Sequence, residues 1–169
     1  MAYYKKKVEY HSEYEHQIIF SNAGINVPKI LNWNEDDSEI TMEKIYGDVI
    51  LSQKPYTMDL SLKLIDEIEK LHNLGYLHGD LNPTNVMISD TGDIILIDFE
   101  FSDTIGSCCI SIEEEMMDLM RLLVILLNCD LSIIFNLMSL CEHTESSKLP
   151  FALKDGITYD DIRNKILLY

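Results

Sequence analysis

The sequence predicts an α+β fold, in which a short β-rich part, residues 1–47, precedes a mainly helical part, residues 48–169. Strand-like runs dominate the first part, apolar residues at helical spacing dominate the second, and no repeat or Pro/Gly/Ser-rich linker separates them. The chain has 169 residues, of which 47% are hydrophobic, and this is enough for one domain with a substantial core. We therefore expect a single folded unit over residues 1–169.

The first part contains three predicted strands around one predicted helix. The strands are expected at Tyr3–Tyr10, Val27–Trp33 and Glu39–Ile45, with Asn34–Ser38 as the polar turn between the last two. The helix is expected at His11–Asn22 and should end near Gly24. The boundary between the two parts is then expected near Gly47.

The second part begins with a helix and a hairpin. Leu64, Ile65, Ile68 and Leu71 recur on one face of a predicted helix at about Met58–Asn73, and Gly75 fits a C-terminal cap. Two β-like runs, Val86–Ser89 and Asp93–Asp98, are joined by Asp-Thr-Gly, which is typical of a hairpin turn.

Three further helices are expected after the hairpin. The helix from Glu113 is too apolar all round for a surface helix, so we expect it at the centre of the fold. Another should lie around Leu131–Cys141, and the last around Tyr159–Leu168, with Thr158 or Asp160 as its cap.

Composition excludes several classes of protein. Lys and Arg number 13 against 29 Asp and Glu, and the formal net charge of -16 repels phosphate backbones and anionic lipids, so we expect no nucleic-acid or membrane partner. The cysteines have no CxxC spacing, which argues against a zinc site or a disulfide framework, and we expect partly buried, reduced thiols. No run reaches membrane-spanning length, and we expect a cytoplasmic protein.

Two carboxylates and an amide are expected to converge near the hairpin. Asp80 lies in His-Gly-Asp, and Asn85 follows in a loop stiffened by Pro83. Asp98 ends the aliphatic run Ile94–Ile97, which should bury the strand and present the carboxylate at its tip. Hard oxygen ligands of this kind suit Mg²⁺, which bridges to substrate phosphates. An acidic chain that handles ATP needs such a metal and a few well-placed lysines.

The segments HGDLNPTN, residues 78–85, and IDFE, residues 97–100, resemble the catalytic-loop and metal-loop pair of the protein-kinase superfamily. The residues in these two segments are most similar to those of the atypical branches. These branches are the small kinase of the KEOPS tRNA-modification complex, lipopolysaccharide (Kdo) kinases, aminoglycoside phosphotransferases and choline kinases. The upstream segments Gly24–Pro28 and Ile40–Gly47 also resemble the KEOPS-type kinase. The resemblance covers roughly residues 5–127. It implies a kinase-like fold with a truncated N-terminal lobe and hinge, residues 1–47, and a helical C-terminal lobe, residues 48–169.

The resemblance also implies roles for individual residues. Asp80 would be the catalytic base, Asn85 and Asp98 would bind Mg²⁺, and His78 would brace the loop. Backbone groups near Glu43 and Ile45 would meet adenine. The lysine that holds the ATP phosphates would come from Lys5, Lys6 or Lys7. On a strand Lys6 shares a face with Tyr4 and Val8, the more apolar set, which favours Lys6, with Lys7 as the fallback. Its partner would be Glu13, with Glu15 next.

Several residues have simpler interpretations. Lys5–Lys7 could be a solvated basic edge strand, and we expect His72 to be packed on its helix without binding a ligand. Glu113–Glu115 are expected to form the favourable negative first turn of a helix. Asp118 is left between a brace of the catalytic loop and a plain surface residue.

The function implied is an ATP- and Mg²⁺-dependent phosphotransferase, first of all an atypical serine/threonine-protein kinase and secondly a small-molecule hydroxyl kinase. The sequence departs from ordinary kinases because it has no glycine-rich phosphate loop and because Glu100 replaces the glycine of the metal loop. These departures leave two alternatives open: a catalytically inactive mimic that regulates a partner kinase, and a chain whose nucleotide pocket is completed by a protein partner.

Overall fold

The computed structural model of the protein describes residues 2–50, 57–127, 130–143 and 151–168. Within these ranges it contains helices and small antiparallel sheets, and the predicted α+β class is confirmed. The helices are α1 His11–Asn22, α2 Met58–Asn73, α3 Ile112–Leu126, α4 Leu131–Met138 and α5 Tyr159–Leu167. The strands are β1 Tyr3–Lys7, β2 Ile30–Asn34, β3 Glu39–Glu43, β4 Gly47–Val49, β5 Tyr76–Leu77, β6 Val86–Ser89, β7 Ile94–Leu96, β8 Asp103–Thr104, β9 Cys141–His143 and β10 Phe151–Leu153.

The first sheet has the order β1-β3-β2, with both pairs antiparallel. Its strands are shorter than predicted. Pro28 has no N–H for a ladder, and its carbonyl accepts a hydrogen bond from the Gln17 side chain at 2.6 Å, so β2 starts only at Ile30. Val8, Ile40 and Met42 form a small cluster under this sheet. The first part of the chain therefore has its own minor core, and α1 packs beside it.

The main core lies among α2, α3, α5 and the second sheet, whose order is β4-β6-β7. The apolar face predicted for α2 is fully buried, and its first turn is capped by Thr57, whose hydroxyl accepts from Leu60 N at 3.3 Å. As expected, α3 is central: Leu119, Leu122 and Leu123 are each exposed by 1% or less. A capping box between Ser111 and Glu114 starts this helix.

The C-terminal region corrects one predicted element. The helix expected to reach Cys141 ends at Met138, because Cys141 instead begins β9, which pairs with β10 opposite Leu153. The last helix agrees with its prediction, and of the two candidate caps it is Thr158 that accepts from Asp161 N, in a second capping box. Short strands such as β9 and β10 have no sequence period from which they could be predicted.

No helix among the described residues is long and apolar enough to span a membrane. Three of the cysteines lie in the described ranges, all as free thiols: Cys108 and Cys141 are partly buried, as predicted, whereas Cys109 is exposed. Cys129 lies outside the described residues.

Candidate active site

Lys6 joins the two parts of the chain. Its Nζ donates to Glu13 Oε1 at 2.5 Å and to Asp98 Oδ1 at 2.7 Å. These partners come from α1 and from the segment after β7, so three separate elements meet at one ammonium group. Burial alone would lower the pKa of Lys6, but the hydrogen bonds to Asp98 and Glu13 outweigh it and hold the pKa above its ordinary value. Lys6 therefore carries its positive charge at neutral pH.

The neighbouring lysines face elsewhere. Lys5 pairs with Glu39 on the adjacent strand, and Lys7 is exposed and does not line the cavity beside Lys6. Strand alternation turns the Lys7 side chain away from Lys6, which favours Lys6, and the fallback assignment of Lys7 to nucleotide binding remains an untested prediction. Glu15, the second candidate partner of the lysine, is exposed, and its Oε1 lies 3.5 Å from His11 Nδ1.

A cavity of about 290 Å³ separates the first sheet from the second. Its walls include Lys6, Gln17, Met42, Glu43, Ile45 and Asp98. Residues 44–46 form the extended connection between the two sheets. Among the described residues, the Ile45 N–H and C=O have no hydrogen-bond partner, whereas Glu43 N donates to Lys29 O at 2.9 Å. Ile45 thus offers a free donor and acceptor at the cavity edge.

Asp80 and Asn85 meet across their loop. The Asn85 side-chain amide donates to Asp80 O and to Asp80 Oδ2, both at 2.9 Å, and Asn85 is only 5% exposed. In the described structure Asp80 Oδ1 has no hydrogen-bond partner, and the residue is exposed. The loop therefore fixes one carboxylate oxygen of Asp80 and leaves the other accessible.

Asp98 has an unusual backbone conformation. Its φ is 68°, in the left-handed region that Asp and Asn tolerate better than most residues. The preceding Ile97 N donates to Asn85 O at 3.0 Å, and the following Phe99 is fully buried. This turn ends β7 at Leu96, short of the predicted Asp98, and frees the carboxylate from the ladder. The Asp98 side chain is 41% exposed and lines the cavity.

The residues proposed to hold Mg²⁺ have suitable donor atoms. Because the Asn85 NH₂ group is used by Asp80, the atom left for a cation is the amide oxygen, which accepts from the Thr84 hydroxyl at 3.3 Å. Asp98 supplies a carboxylate. Among the described residues no three His, Cys, Asp or Glu side chains form a metal cluster. An amide and a carboxylate with few other protein ligands suit Mg²⁺, which keeps waters and shares substrate phosphates.

His78 and Glu115 hold the loop that carries Asp80. The buried His78 ring lies with Nε2 3.1 Å from Ile97 O and packs on Phe99. Burial lowers the pKa of His78. Glu115, also fully buried, accepts from the backbone N–H groups of His78 at 2.9 Å and of Gly79 at 2.8 Å. His78 is thus placed as a brace, in line with the sequence interpretation.

Glu115 is the site residue that sequence analysis missed. Glu115 lies in the negative first turn of α3, as predicted, but its burial and its contacts with the loop were not predicted. Asp118, for which a brace of the loop and a plain surface residue were both left open, pairs with Arg121. Of the two interpretations left open for Asp118, this ion pair favours the surface residue. A signal was present, because Glu115 shares a helical face with Leu119, Leu122 and Leu123, and a carboxylate on an apolar face requires buried partners.

The charge of Glu115 is stabilised by its surroundings. Burial would raise its pKa, but hydrogen bonds from His72 and from the N–H groups of His78 and Gly79 lower it overall. His72 is packed on its helix, as expected, with Nε2 2.8 Å from Glu115 Oε1. Glu115 is therefore an ionised acceptor at neutral pH.

Comparison with known proteins gives a family match. Residues 3–104 match the family model described as RIO1: RIO domain. That segment contains every candidate site residue from Lys6 to Asp98 and excludes Glu115.

Individual relatives cover the same region. The RIO-type serine/threonine-protein kinase Rio2 of Methanocaldococcus jannaschii is 34% identical over 44% of this chain and 30% of that protein. The KEOPS complex subunit Bud32 of Pyrococcus abyssi is 37% identical over 48% of this chain and 40% of that protein. The 3-deoxy-D-manno-octulosonic acid kinase of Vibrio parahaemolyticus is 33% identical over 52% of this chain and 41% of that protein. The chain spans less than half the length of each.

Proposed function

The chain belongs to the RIO-domain family of atypical kinase-like proteins, and from that premise we propose that it transfers the γ-phosphate of ATP to a serine or threonine hydroxyl of a protein. The observation that carries the proposal is the contact of Lys6 with both Glu13 and Asp98, at 2.5 and 2.7 Å. It brings a phosphate-binding cation and a metal-binding carboxylate to the edge of one cavity. Phosphoryl transfer needs this kind of positioning more than it needs covalent chemistry.

The nucleotide would lie in the cavity between the sheets. Its adenine would meet the free backbone donor and acceptor of Ile45, with Glu43 beside them, and its phosphates would reach Lys6. Asn85 and Asp98 would hold Mg²⁺, which, when bound, offsets the charge of the phosphates. The site thus divides into an apolar end for the base and a charged end for the triphosphate.

Asp80 would act on the acceptor. Its free Oδ1 accepts the hydroxyl proton while the hydroxyl oxygen bonds to the γ-phosphorus, and the bond from that phosphorus to the β-phosphate oxygen breaks to release ADP. Asn85 keeps Asp80 Oδ2 engaged, so the carboxylate has one orientation for this task. The ATP pool is intracellular, so the proposal places the protein in the cytoplasm.

Three alternatives have support of their own. The ion pair between Lys6 and Asp98 competes with a metal for the same carboxylate, which favours a kinase mimic that regulates a partner kinase. A relative named as a sugar-acid kinase supports a small-molecule hydroxyl as acceptor, and another named as a complex subunit supports a protein partner.

The test is a calorimetric titration with ATP, with and without Mg²⁺, followed by a transfer assay with radiolabelled ATP on protein and sugar acceptors. We expect Mg²⁺-dependent binding, and label on a protein hydroxyl. Asp80→Asn is expected to bind Mg·ATP normally and to transfer about 10²–10⁴-fold more slowly, because it lacks the base. Absence of binding in every form would support the mimic, and native transfer rates in Asp80→Asn would exclude Asp80 as the base.

A further inference from the structure

Helix α5 packs against α2, the helix that carries His72. Ile162 and Ile166 are fully buried in the main core, and Arg163 contacts Asp66 and Glu69 of α2 as well as Asp160. This helix lies outside the segment that matches the family model, residues 3–104. Its contribution to the site is therefore not part of the family assignment.

Tyr159, the first residue of α5, reaches into the core. Its hydroxyl contacts His72 Nδ1, and the two rings pack edge to face with centroids 5.7 Å apart. Burial raises the pKa of Tyr159, and the carboxylates of Glu115 and Glu69 raise it further. The phenol therefore keeps its proton, and Tyr159 is the donor in its contact with His72.

This donor at Nδ1 and the Glu115 carboxylate at Nε2 together set the state of His72. Because Nδ1 accepts the phenol hydrogen, a neutral imidazole must carry its own hydrogen on Nε2. That Nε2–H points at Glu115 Oε1, 2.8 Å away. Both ring nitrogens of a side chain that is 3% exposed are then satisfied, and the ring cannot turn over without losing both bonds.

Glu115 connects His72 to the catalytic loop by hydrogen bonds. Its two oxygens also accept from the N–H groups of His78 and Gly79, the residues directly before Asp80. A continuous chain of hydrogen bonds thus runs from Tyr159 through His72 and Glu115 to the backbone next to the proposed base.

We propose that Tyr159 is a positioning residue for the catalytic loop: its hydroxyl fixes the Nε2–H form of His72, which orients Glu115 to bind the His78 and Gly79 N–H groups. The consequence for phosphoryl transfer rests on the proposed role of Asp80. This role belongs to the Tyr159 hydroxyl and not to its ring, so a phenylalanine, which would fill the same space, should not replace it.

The experiment compares Tyr159→Phe with Tyr14→Phe, which removes a hydroxyl from a ring stacked on Trp33 in the first part of the chain. The ¹⁵N NMR shifts of His72 should report the Nε2–H form in the native protein and in Tyr14→Phe, and mixed forms in Tyr159→Phe. Amide hydrogen exchange at His78 and Gly79 should be about tenfold faster in Tyr159→Phe alone.

The transfer assay adds a functional readout. Tyr159→Phe is expected to lower kcat about five- to tenfold with KM for ATP unchanged, because the loop and not the nucleotide pocket is loosened. Unchanged His72 shifts and unchanged exchange at His78 and Gly79 would overturn the inference. If the native protein transfers no phosphate, the kinase proposal fails, whereas the two NMR measurements still decide whether Tyr159 positions the loop.

Discussion

Lys6 carries the only positive charge within reach of two carboxylates of the described site, Glu13 and Asp98. The Glu13 side chain is 2% exposed, so its charge depends on this lysine, whereas Asp98 is open to solvent and can exchange partners. Removal of one member of a buried ion pair leaves an uncompensated charge. At the scale of single residues, Lys6 therefore has a structural role toward Glu13 and a proposed ligand role toward the nucleotide.

A lysine-to-alanine scan tests the ligand role. Lys6→Ala is expected to weaken Mg·ATP binding about 10- to 100-fold, the range for a hydrogen bond to a charged group, measured by calorimetry. Lys5→Ala and Lys7→Ala serve as matched controls and should change affinity by less than about threefold, because their side chains face solvent. Three equal, salt-sensitive losses would instead indicate a diffuse basic edge.

Asp98→Asn tests the metal role. Asn tolerates the left-handed backbone at φ 68° as Asp does, so the fold should be retained while the charge is lost. We expect ATP affinity to become independent of Mg²⁺ in this variant, with a circular dichroism spectrum like that of the native protein. Asp36→Asn, in an exposed turn, is the control for loss of one negative charge. Mg·ATP affinity equal to the native value in Asp98→Asn would exclude Asp98 as a metal ligand.

Features of single residues were predictable where they depend on the alternation of side chains between the two faces of a strand. The shared face of Tyr4, Lys6 and Val8 pointed to Lys6, and the structure contains its contact with Glu13. The second contact, with Asp98, depends on how two sheets pack across the cavity, and no local pattern encodes it. The assigned roles of Asp80, Asn85 and Asp98 remain predictions, although the structure brings Asp80 and Asn85 into contact.

At the scale of elements, the loop that carries Asp80 is shaped by a close backbone approach. Gly79 has φ +81°, and a Cβ at this position would lie 2.1 Å from the carbonyl oxygen of Phe101. A side chain there would push apart the loop that carries Asp80 and the segment that follows Asp98. This gives a physical reason for His-Gly-Asp in this chain.

Gly79→Ala is expected to destabilise the protein by about 3 kcal/mol or more in urea unfolding, since backbone strain and steric overlap add. Gly92→Ala is the matched control: its φ of +82° is equivalent, but a Cβ there meets nothing within 4 Å. That variant should lose only about 1–2 kcal/mol. Equal losses in the two variants would show that the overlap with Phe101 relaxes without cost.

Elements were predictable where they are long and periodic. The bounds of α1 and α2 agree with the sequence prediction, and the glycines predicted just after them, Gly24 and Gly75, both have a positive φ. The pairings of β5 with β8 and of β9 with β10 were missed, since they involve only two or three residues each, and β5 and β8 are also separated by more than twenty residues of chain. Glu115 lies in the predicted first turn of α3, but its burial was missed because its charge was weighed above its position on the apolar face.

At the scale of the whole molecule, the fold has two unequal cores. The small cluster of Val8, Ile40 and Met42 serves the first sheet, while the main core extends from Phe20 to Ile166. Phe20, on α1, packs edge to face on Phe99, so the first part of the chain is joined to the second through aromatic contacts as well as through Lys6. The prediction of a single folded unit over residues 1–169 agrees with this packing but remains a prediction, as does the expected absence of nucleic-acid and membrane partners.

The net charge of -16 leads to the last prediction, an increase of thermal stability with salt. A large excess of one sign destabilises the compact state by self-repulsion, and raising the ionic strength from about 10 mM to about 0.15 M shortens the Debye length from roughly 30 to 8 Å. The same screening weakens exposed ion pairs, but each of these contributes only about 0–1 kcal/mol. Repulsion should therefore dominate, and the unfolding midpoint, measured by differential scanning calorimetry, should rise by roughly 2–4 °C for each kcal/mol regained. NaCl and KCl at equal strength should act alike, since screening does not depend on the ion. A midpoint that falls with salt would mean that ion pairs such as those of Arg163 outweigh the net charge.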